Sequence, residues 1–321
     1  MMRLFLCALI LIASSALAND EEPHPGAAAF IDRVVAEYGL DPDHVHAVLA
    51  EARYQQSIID AITRPAESKP WYEYRQIFVT DTRIDSGVEF WRANRSLLEQ
   101  VSSEFGVPVE VIVAIIGVET NYGLNTGSYR VIDALATLGF YYPRRGEFFA
   151  GELGEFLRLA DEEALPVTEV RGSYAGAMGV GQFIPSSYRA YAVDEDGTGD
   201  RDLWRSLPDA VASVANYLSV HGWQADRPIV LPASAPDGVP EADFGVKPAH
   251  ALGELDDMGL RFDAGDLPDD TAGTLVSLDL EQGQRHWIGL NNFYVITRYN
   301  RSPLYAMAVT QLAEAIRERR G

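Results

Sequence analysis

Residues 108–123 read PVEVIVAIIGVETNYG, an apolar run that carries a carboxylate, Glu119, near its end. Pro108 suits the first turn of a helix, because its missing N–H would have no partner there, and Gly123 suits a left-handed stop. The run therefore predicts one buried helix. If Glu119 faces protein rather than water, desolvation raises its pKa, as a general acid near neutral pH requires. The run alone leaves open that Glu119 is a surface glutamate at a helix end.

A second informative segment, residues 171–188, reads RGSYAGAMGVGQFIPSSY. Its small residues allow another backbone or a flat ligand to approach closely, and Ser173 and Gln182 supply neutral hydrogen-bonding groups. No Gly-Lys-Ser/Thr follows the glycines, so the segment is not a phosphate-binding loop. Its composition alone leaves open a tight helix-packing element without a ligand.

The rest of the chain is mostly helical in pattern, with a shorter part of different texture. Residues 227–279 are rich in Pro, Gly and Asp, and runs of β-formers at 229–231, 274–278 and 293–297 predict a small β element. Apolar spacing predicts further helices within 26–62, 130–138, 146–163, 208–221 and 304–319. The predicted fold class is mainly α, with a minor β part (α+β).

Composition limits the classes of partner. The 321 residues are 47% hydrophobic, enough for an ordinary core, and the formal net charge is −21. Nucleic acid is excluded as an expected partner, because binding it needs concentrated positive charge. The acidic balance does not identify a substrate.

The first 18 residues have the pattern of a secretory signal peptide. Arg3 precedes an apolar stretch at 4–13, and Ala16-Leu17-Ala18 is typical of a cleavage site, so we predict cleavage after Ala18. A retained membrane anchor is the alternative, although the apolar stretch is short for spanning a bilayer. The single cysteine, Cys7, lies inside that stretch rather than at the cleavage point, which argues against lipid attachment.

Together with Glu119 and the four residues after it, the glycine-rich segment closely resembles the lytic transglycosylase B family, which cleaves the glycan strands of bacterial peptidoglycan. The resemblance extends in order over nearly the whole chain after the signal. It includes residues 70–75, 83–94, 133–138, 142–145, 214–217 and 292–300. It implies a lysozyme-like helical catalytic core with additional N-terminal helices and a small β element.

The resemblance also implies how the chain is organised and where it works. We expect a signal peptide at 1–18 and one catalytic region at 19–321, acting as a monomer in the periplasm on peptidoglycan strands. Within that region we expect a helical N-terminal part at about 25–104, a lysozyme-like core at about 105–226, a β-containing part at about 227–302 and a C-terminal helix at about 303–320.

The family's functional positions fall on residues of suitable chemistry in this sequence. Glu119 occupies the place of the single catalytic acid. The expected substrate-binding residues are Arg144, Arg145, Ser173, Met178, Gln182, Tyr217, Tyr299, Asn300 and Tyr305. Sugars offer hydroxyl and acetamido groups to polar side chains and apolar ring faces to aromatic ones. Each tyrosine taken alone is more typical of a core aromatic residue.

The absence of a second carboxylate motif has a mechanistic meaning. Ordinary glycosidases use two carboxylates, whereas Glu110 lies at the opposite end of the predicted helix and Glu147 in another helix. In the family mechanism one glutamate acts twice. It first protonates the glycosidic oxygen between N-acetylmuramic acid and N-acetylglucosamine. It then takes the proton of the C6 hydroxyl, whose oxygen closes on C1 to give a 1,6-anhydro sugar without consuming water. A hydrolase that uses Glu119 with water, and a non-catalytic peptidoglycan-binding protein, are the alternatives.

A third motif resembles a calcium-binding loop, within residues 194–209. Asp194, Asp196, Thr198, Asp200 and Asp202 fall on loop positions 1, 3, 5, 7 and 9. Position 12 is Arg205 instead of the usual glutamate, so Asp209 would have to close the site. The expected ligands are Asp194, Asp196, Thr198, Asp200 and Asp209. We expect no cofactor for the chemistry, and a structural Ca²⁺ or an acidic turn without an ion at this loop.

Overall fold

The computed structural model describes residues 23–64, 68–236 and 238–321. The predicted signal peptide at 1–18, with Cys7, lies outside the described residues. Among the described residues, no single helix is long and apolar enough to cross a bilayer. The helices at 95–105 and 109–120 have enough length and apolar composition only when they are taken together, and the chain bends by 111° between them.

Helices dominate the described residues, as predicted. There are fourteen in these ranges: α1 (Ala27–Tyr38), α2 (Pro42–Glu51), α3 (Gln56–Ile62), α4 (Trp71–Phe78), α5 (Asp81–Ala93), α6 (Arg95–Phe105), α7 (Val109–Thr120), α8 (Val131–Tyr141), α9 (Gly146–Glu162), α10 (Pro185–Tyr191), α11 (Leu207–Val220), α12 (Leu252–Asp257), α13 (Asn291–Tyr299) and α14 (Pro303–Arg320). The expected division of residues 19–321 into four parts stays a prediction.

The strands form two small antiparallel sheets. The described residues contain the strands β1 (Tyr129–Arg130), β2 (Arg171–Gly172), β3 (Val230–Ser234), β4 (His250–Ala251), β5 (Arg261–Phe262), β6 (Ala272–Asp279) and β7 (Gln284–Gly289). β1 pairs with β2, and the other five strands are ordered β4-β6-β7-β3-β5. The long hairpin β6–β7 pairs Thr274 with Gly289 and Asp279 with Gln284 at its two ends. The prediction of a mainly α fold with a small β element is confirmed.

The central helix α7 is buried along almost its whole length. Every residue from Val111 to Val118 is buried, because α7 packs against α14, α5 and α11 on different sides. The helix ends at Thr120, so the predicted stop at Gly123 was wrong: Asn121 is already left-handed, with φ 51°. Asparagine tolerates this conformation better than most residues with a Cβ. Tyr122 (φ 62°) and Gly123 (φ 86°) continue the left-handed turn.

One of the three predicted strands is a helix. Residues 229–231 and 274–278 contribute to β3 and β6, but 293–297 belong to α13. The buried residues of α13 include Asn292, Phe293 and Ile296, whose spacing matches one helix face rather than the alternation of a strand. This face packs against α14 and α11, so tertiary packing overrides the β propensity of the run. The third long strand is β7.

Asp133, at the start of α8, fastens the α2–α3 connection to the core. It is 2% exposed and accepts hydrogen bonds from Arg130 (Nη2, 2.6 Å), the Arg53 backbone N–H (2.9 Å) and Gln55 (Nε2, 2.8 Å). A buried carboxylate with several donors is costly to disturb, because its partners then lose theirs.

We predict that Asp133→Asn lowers the free energy of unfolding by about 3 kcal/mol, measured by urea denaturation, since it removes the buried charge that pairs with the partly buried Arg130. The matched control is Glu99→Gln, which breaks an ion pair of 2.7 Å with Arg95 whose side chains are 48% and 65% exposed. That change should cost at most about 0.5 kcal/mol. Equal losses of unfolding free energy in the two variants would contradict the stabilising role of Asp133.

Candidate active site

Glu119 lies in the last turn of α7, partly buried, and contacts a tyrosine from the other end of the chain. The hydroxyl of Tyr305, in the first turn of α14, donates a hydrogen bond of 2.6 Å to Oε1 of Glu119. The start of α14 is fixed by Ser302, whose side chain accepts from the Tyr305 backbone N–H, and by Pro303 at its first position. The sequence therefore holds the phenol in place through the cap of its own helix.

A second, half-buried tyrosine, Tyr299, stacks on Tyr305 with ring centroids 6.5 Å apart and planes inclined by 7°. Burial, followed by the charge of Glu119, raises the pKa of both hydroxyls well above the usual range. Both therefore stay protonated and act as donors, Tyr305 to Glu119 and Tyr299 to the carbonyl of Gly181. Hydrogen bonding from Tyr305 favours the ionised carboxylate and opposes desolvation; the raised pKa expected for Glu119 itself stays a prediction.

The loop after α7 is tied to the glycine-rich segment. The buried hydroxyl of Thr120 donates to the carbonyl of Val180 (2.9 Å) and accepts from the backbone N–H of Gly123 (3.0 Å). Gln182 Nε2 lies 3.1 Å from the carbonyl of Thr126. These bonds place Gln182 in the same cluster of segments as Glu119; its role in substrate binding stays a prediction.

Glycines in this segment allow the close backbone approach that the sequence predicted. A Cβ on Gly179, whose φ is +70°, would lie 2.6 Å from the carbonyl oxygen of Leu203. A Cβ on Gly127, in the loop after α7, would lie 2.1 Å from the carbonyl oxygen of Gly172. Larger residues at either position would push the two segments apart.

Three other predicted site residues shape the surroundings of this cluster. Ser173 Oγ accepts from the backbone N–H groups of Ala175 (3.2 Å) and Ala177 (3.0 Å), which closes the glycine-rich turn. Met178 is completely buried in the core. Asn300 Oδ1 accepts from the Ser302 backbone N–H (3.1 Å), at the junction that leads into Tyr305.

Three predicted site residues remain: Tyr217, Arg144 and Arg145. Tyr217 is buried behind Tyr299, with centroids 4.8 Å apart, stacks on His221 and donates to the Arg298 carbonyl at 2.5 Å. Arg144 and Arg145 are exposed between α8 and α9, and the Arg145 guanidinium lies 4.3 Å from the ring centre of Phe148. Roles in substrate binding stay predictions for all three.

The sequence reading missed the residues that support the last turn of α7. Arg83, on α5, donates through Nη1 to the carbonyl of Gly117, and the Tyr122 hydroxyl donates to the Arg83 carbonyl at 2.7 Å. A Cβ on Gly117 would lie 2.7 Å from the Tyr122 hydroxyl. A glycine inside an apolar helix was the available signal of such a close approach.

The acidic loop brings together part of its predicted ligand set. Carboxylate oxygens of Asp194, Asp196 and Asp209 lie within 4.8 Å of one another. Asp200 is not one of these three, and Thr198 lies between it and them: the Thr198 Oγ1 is 2.7 Å from Asp196 Oδ1 and 2.8 Å from Asp200 Oδ1. Hydrogen bonds, first that from Ser206, hold the pKa of Asp196 below its usual value, so its carboxylate is ionised at neutral pH.

Asp209 holds the backbone of this loop through hydrogen bonds. It is fully buried, and its oxygens accept from the backbone N–H groups of Glu195 (2.9 Å), Asp196 (3.2 Å) and Asp202 (2.9 Å). Carboxylate oxygens grouped in this way are the donors that Ca²⁺ prefers, so the residues present fit this ion.

Residues 23–314 match the family model described as the transglycosylase SLT domain. The membrane-bound lytic murein transglycosylase B of Escherichia coli (strain K12) is 40% identical over 311 residues, covering 94% of this chain and 85% of that protein. The structure of catenated lytic transglycosylase SltB1 from Pseudomonas aeruginosa superposes with a TM-score of 0.86 at 49% identity, covering 92% of this chain and 98% of that one.

A third relative is the lytic transglycosylase Slt35 of Escherichia coli, solved in complex with calcium. Its TM-score is 0.83 at 41% identity, over 92% of this chain and 94% of that one. The predicted lysozyme-like, mainly helical fold and the predicted enzyme class are confirmed by these matches. The family model and these relatives show that this chain belongs to the transglycosylase SLT domain family of lytic murein transglycosylases.

Proposed function

We propose that Glu119 is the sole acid and base with which this protein cleaves the β-1,4 bond between N-acetylmuramic acid and N-acetylglucosamine, leaving 1,6-anhydromuramic acid. The observation that carries the proposal is the hydrogen bond of 2.6 Å from Tyr305 to Glu119, at the meeting point of α7, α14 and the glycine-rich segment. It holds the carboxylate in one orientation, which proton transfer to a bound oxygen requires.

The surroundings of Glu119 support a mechanism with one carboxylate. Glu110, on the first turn of the same helix, is displaced by about 13 Å along the axis and lies 3.7 Å from Arg317. Glu147 is exposed on α9. Among the described residues, Glu119 is the carboxylate whose charge acts on the pKa of both site tyrosines. Neither Glu110 nor Glu147 is therefore placed to act as the second carboxylate that glycosidases use.

In the first step, protonated Glu119 donates its proton to the glycosidic oxygen, and the bond between that oxygen and C1 of the muramic acid breaks. The oxygen leaves as the C4 hydroxyl of N-acetylglucosamine. The substrate's own 2-acetamido group stabilises the positive charge at C1. Glu119 is then an ionised carboxylate, which the hydroxyl of Tyr305 stabilises.

In the second step, ionised Glu119 removes the proton of the C6 hydroxyl of the same muramic acid. The C6 oxygen forms a bond to C1, which closes the 1,6-anhydro ring. Glu119 is protonated again, so the next cycle can begin, and no water is consumed.

The remaining parts of the proposal concern location, partners and the acidic loop. We place the protein in the periplasm, exported by residues 1–18, as a monomer on peptidoglycan strands. The residues that bind the substrate are those expected from the sequence, and among them Tyr305 also positions Glu119. A Ca²⁺ ion held by Asp194, Asp196 and Asp209 would stabilise the loop; the calcium complex of Slt35 supports this assignment.

We predict that Glu119→Gln lowers kcat at least about 1,000-fold, because an amide cannot donate and then accept the proton. Release of soluble fragments from purified sacculi measures turnover, and sedimentation with the sacculi measures binding, which should stay within about twofold of the native protein. The control is Glu110→Gln on the same helix, which should keep its activity. Turnover retained by Glu119→Gln would exclude the proposed role.

We predict that Tyr305→Phe shifts the basic limb of the kcat/KM–pH profile to higher pH. The phenol stabilises the ionised form of Glu119, so its loss raises the pKa of Glu119 and keeps the acid protonated over a wider range. Tyr294→Phe, a half-buried tyrosine of α13, serves as the control and should leave the profile unchanged. A shift to lower pH, or a lower rate with an unshifted profile, would show that Tyr305 does not act through Glu119.

We predict that Ca²⁺ raises the Tm of the native protein by a few degrees, roughly the effect of a ligand at 100 times its Kd. The double variant Asp194→Asn/Asp196→Asn should lose this increase, because two of the three grouped carboxylates are then neutral. Asp270→Asn, an exposed carboxylate outside the loop, should keep it. An equal Tm increase in all three proteins, or none in the native one, would argue against the site.

A further inference from the structure

Arg83, on α5, is a half-buried arginine that forms no ion pair with a carboxylate of the described residues. Its guanidinium donates through Nη1 to the carbonyl of Gly117, near the end of α7, and its Cζ atom lies 5.6 Å from the ring centre of Phe78. A cation interacts favourably with the carbonyl groups at the C-terminal end of a helix. Arg83 therefore caps the end of α7 that carries Glu119.

Tyr122, in the turn after α7, is connected to the same arginine. Its hydroxyl donates to the Arg83 carbonyl at 2.7 Å. The hydroxyl fits between α5 and α7 because each helix has a glycine there: a Cβ would lie 2.6 Å from it on Gly87 and 2.7 Å from it on Gly117. The ring packs against Phe90, with centroids 5.6 Å apart. The turn is thus fixed to α5 by a hydrogen bond and by packing.

The two contacts of Arg83 lie on either side of Glu119 in the chain. Gly117 precedes Glu119 by two positions and Tyr122 follows it by three. The turn between them includes Asn121 and Tyr122, whose φ values of 51° and 62° persist in residues with a Cβ only where neighbouring structure holds them. Arg83, Gly117 and Tyr122, here called the α5 clamp, supply that support.

The α5 clamp holds α7 on the side away from Tyr305. A helix has 3.6 residues per turn, so Gly117 and Glu119, two positions apart, lie on nearly opposite faces. Tyr305 of α14 bonds to the carboxylate of Glu119, whereas Arg83 of α5 bonds to the backbone of Gly117. The side chain of Glu119 and the helical turn that carries it are therefore fixed by two different helices.

We propose that Arg83 is a positioning residue for Glu119, which keeps the last turn of α7 aligned with Tyr305 through the α5 clamp. Arg83 acts through the backbone of α7 and makes no contact with the substrate. Its effect on rate is large because a displacement of a catalytic group by about 1 Å can lower the rate about 100-fold. The inference rests on the proposed function of Glu119.

The first test measures kcat and KM on soluble glycan strands for Arg83→Met and Arg83→Lys. Methionine fills part of the space but cannot donate, so kcat should fall about 10- to 100-fold while KM stays within about twofold. Lysine keeps one donor for the Gly117 carbonyl, so Arg83→Lys should stay within about threefold of the native kcat.

The matched control is Arg33→Met. Arg33, on α1, also donates to the carbonyl of a residue in another helix, Ala150 of α9, at 3.0 Å. Because this bond joins two helices that do not carry Glu119 or Tyr305, the variant should keep the native kcat and KM. An unchanged kcat in Arg83→Met, or a raised KM at unchanged kcat, would overturn the positioning role.

A double variant separates positioning of Glu119 from a general loss of folded protein. Arg83→Met added to Glu119→Gln should lower the residual turnover less than about twofold, because no acid remains to be positioned. A further loss of about tenfold or more would overturn the role, since a general loss lowers both backgrounds equally.

Tyr122→Phe tests the same clamp with a smaller change, whether or not Arg83→Met folds. It removes the hydroxyl that donates to Arg83 and keeps the ring, so kcat should fall about fivefold at unchanged KM. An unchanged kcat in this variant would also contradict the α5 clamp. Failure of the proposed function would look different, because Glu119→Gln would then retain the turnover of the native protein.

Discussion

The arrangement of this protein's site depends on one hydrogen bond, from Tyr305 to Glu119 at 2.6 Å. It joins the last turn of α7 to the first turn of α14, two helices that are far apart in the chain and packed along their lengths. Because Tyr305 is buried and stays protonated, it can only donate to the carboxylate. Glu119 is thereby held in one orientation through both proposed proton transfers.

Close backbone approach makes this contact possible. Gly117 leaves room for the Tyr122 hydroxyl beneath α7, and Gly127 lets the loop after α7 touch the glycine-rich segment at Gly172. Thr120 then bonds to Val180, next to Gly181, whose carbonyl accepts from Tyr299. Small residues at these points fix the spacing between Glu119 and the two tyrosines, so the glycines are part of the site even where they touch no substrate.

Patterns local in sequence predicted much of this structure. The apolar run predicted α7 and the place of Glu119, and turn-rich composition with β-formers predicted β3 and β6. Residues 293–297 have strand-like composition, yet packing against α14 and α11 makes them helical, which a local pattern does not contain. The bond between Tyr305 and Glu119 spans 186 positions, and the support of the Asp194 loop by Asp209 depends on the start of α11. The sequence named Tyr305 and Asp209 as site residues, but these hydrogen bonds depend on how α14 and α11 pack, which a local pattern does not contain.

The central claim is that Glu119 alone cleaves the strand and that the substrate's C6 oxygen replaces water. The most direct test is mass spectrometry of the fragments released from purified sacculi when the reaction runs in ¹⁸O-labelled water. The account predicts products that end in 1,6-anhydromuramic acid, lighter by one water than the reducing sugar and free of ¹⁸O. Products with reducing ends that carry one ¹⁸O would contradict it and identify a hydrolase.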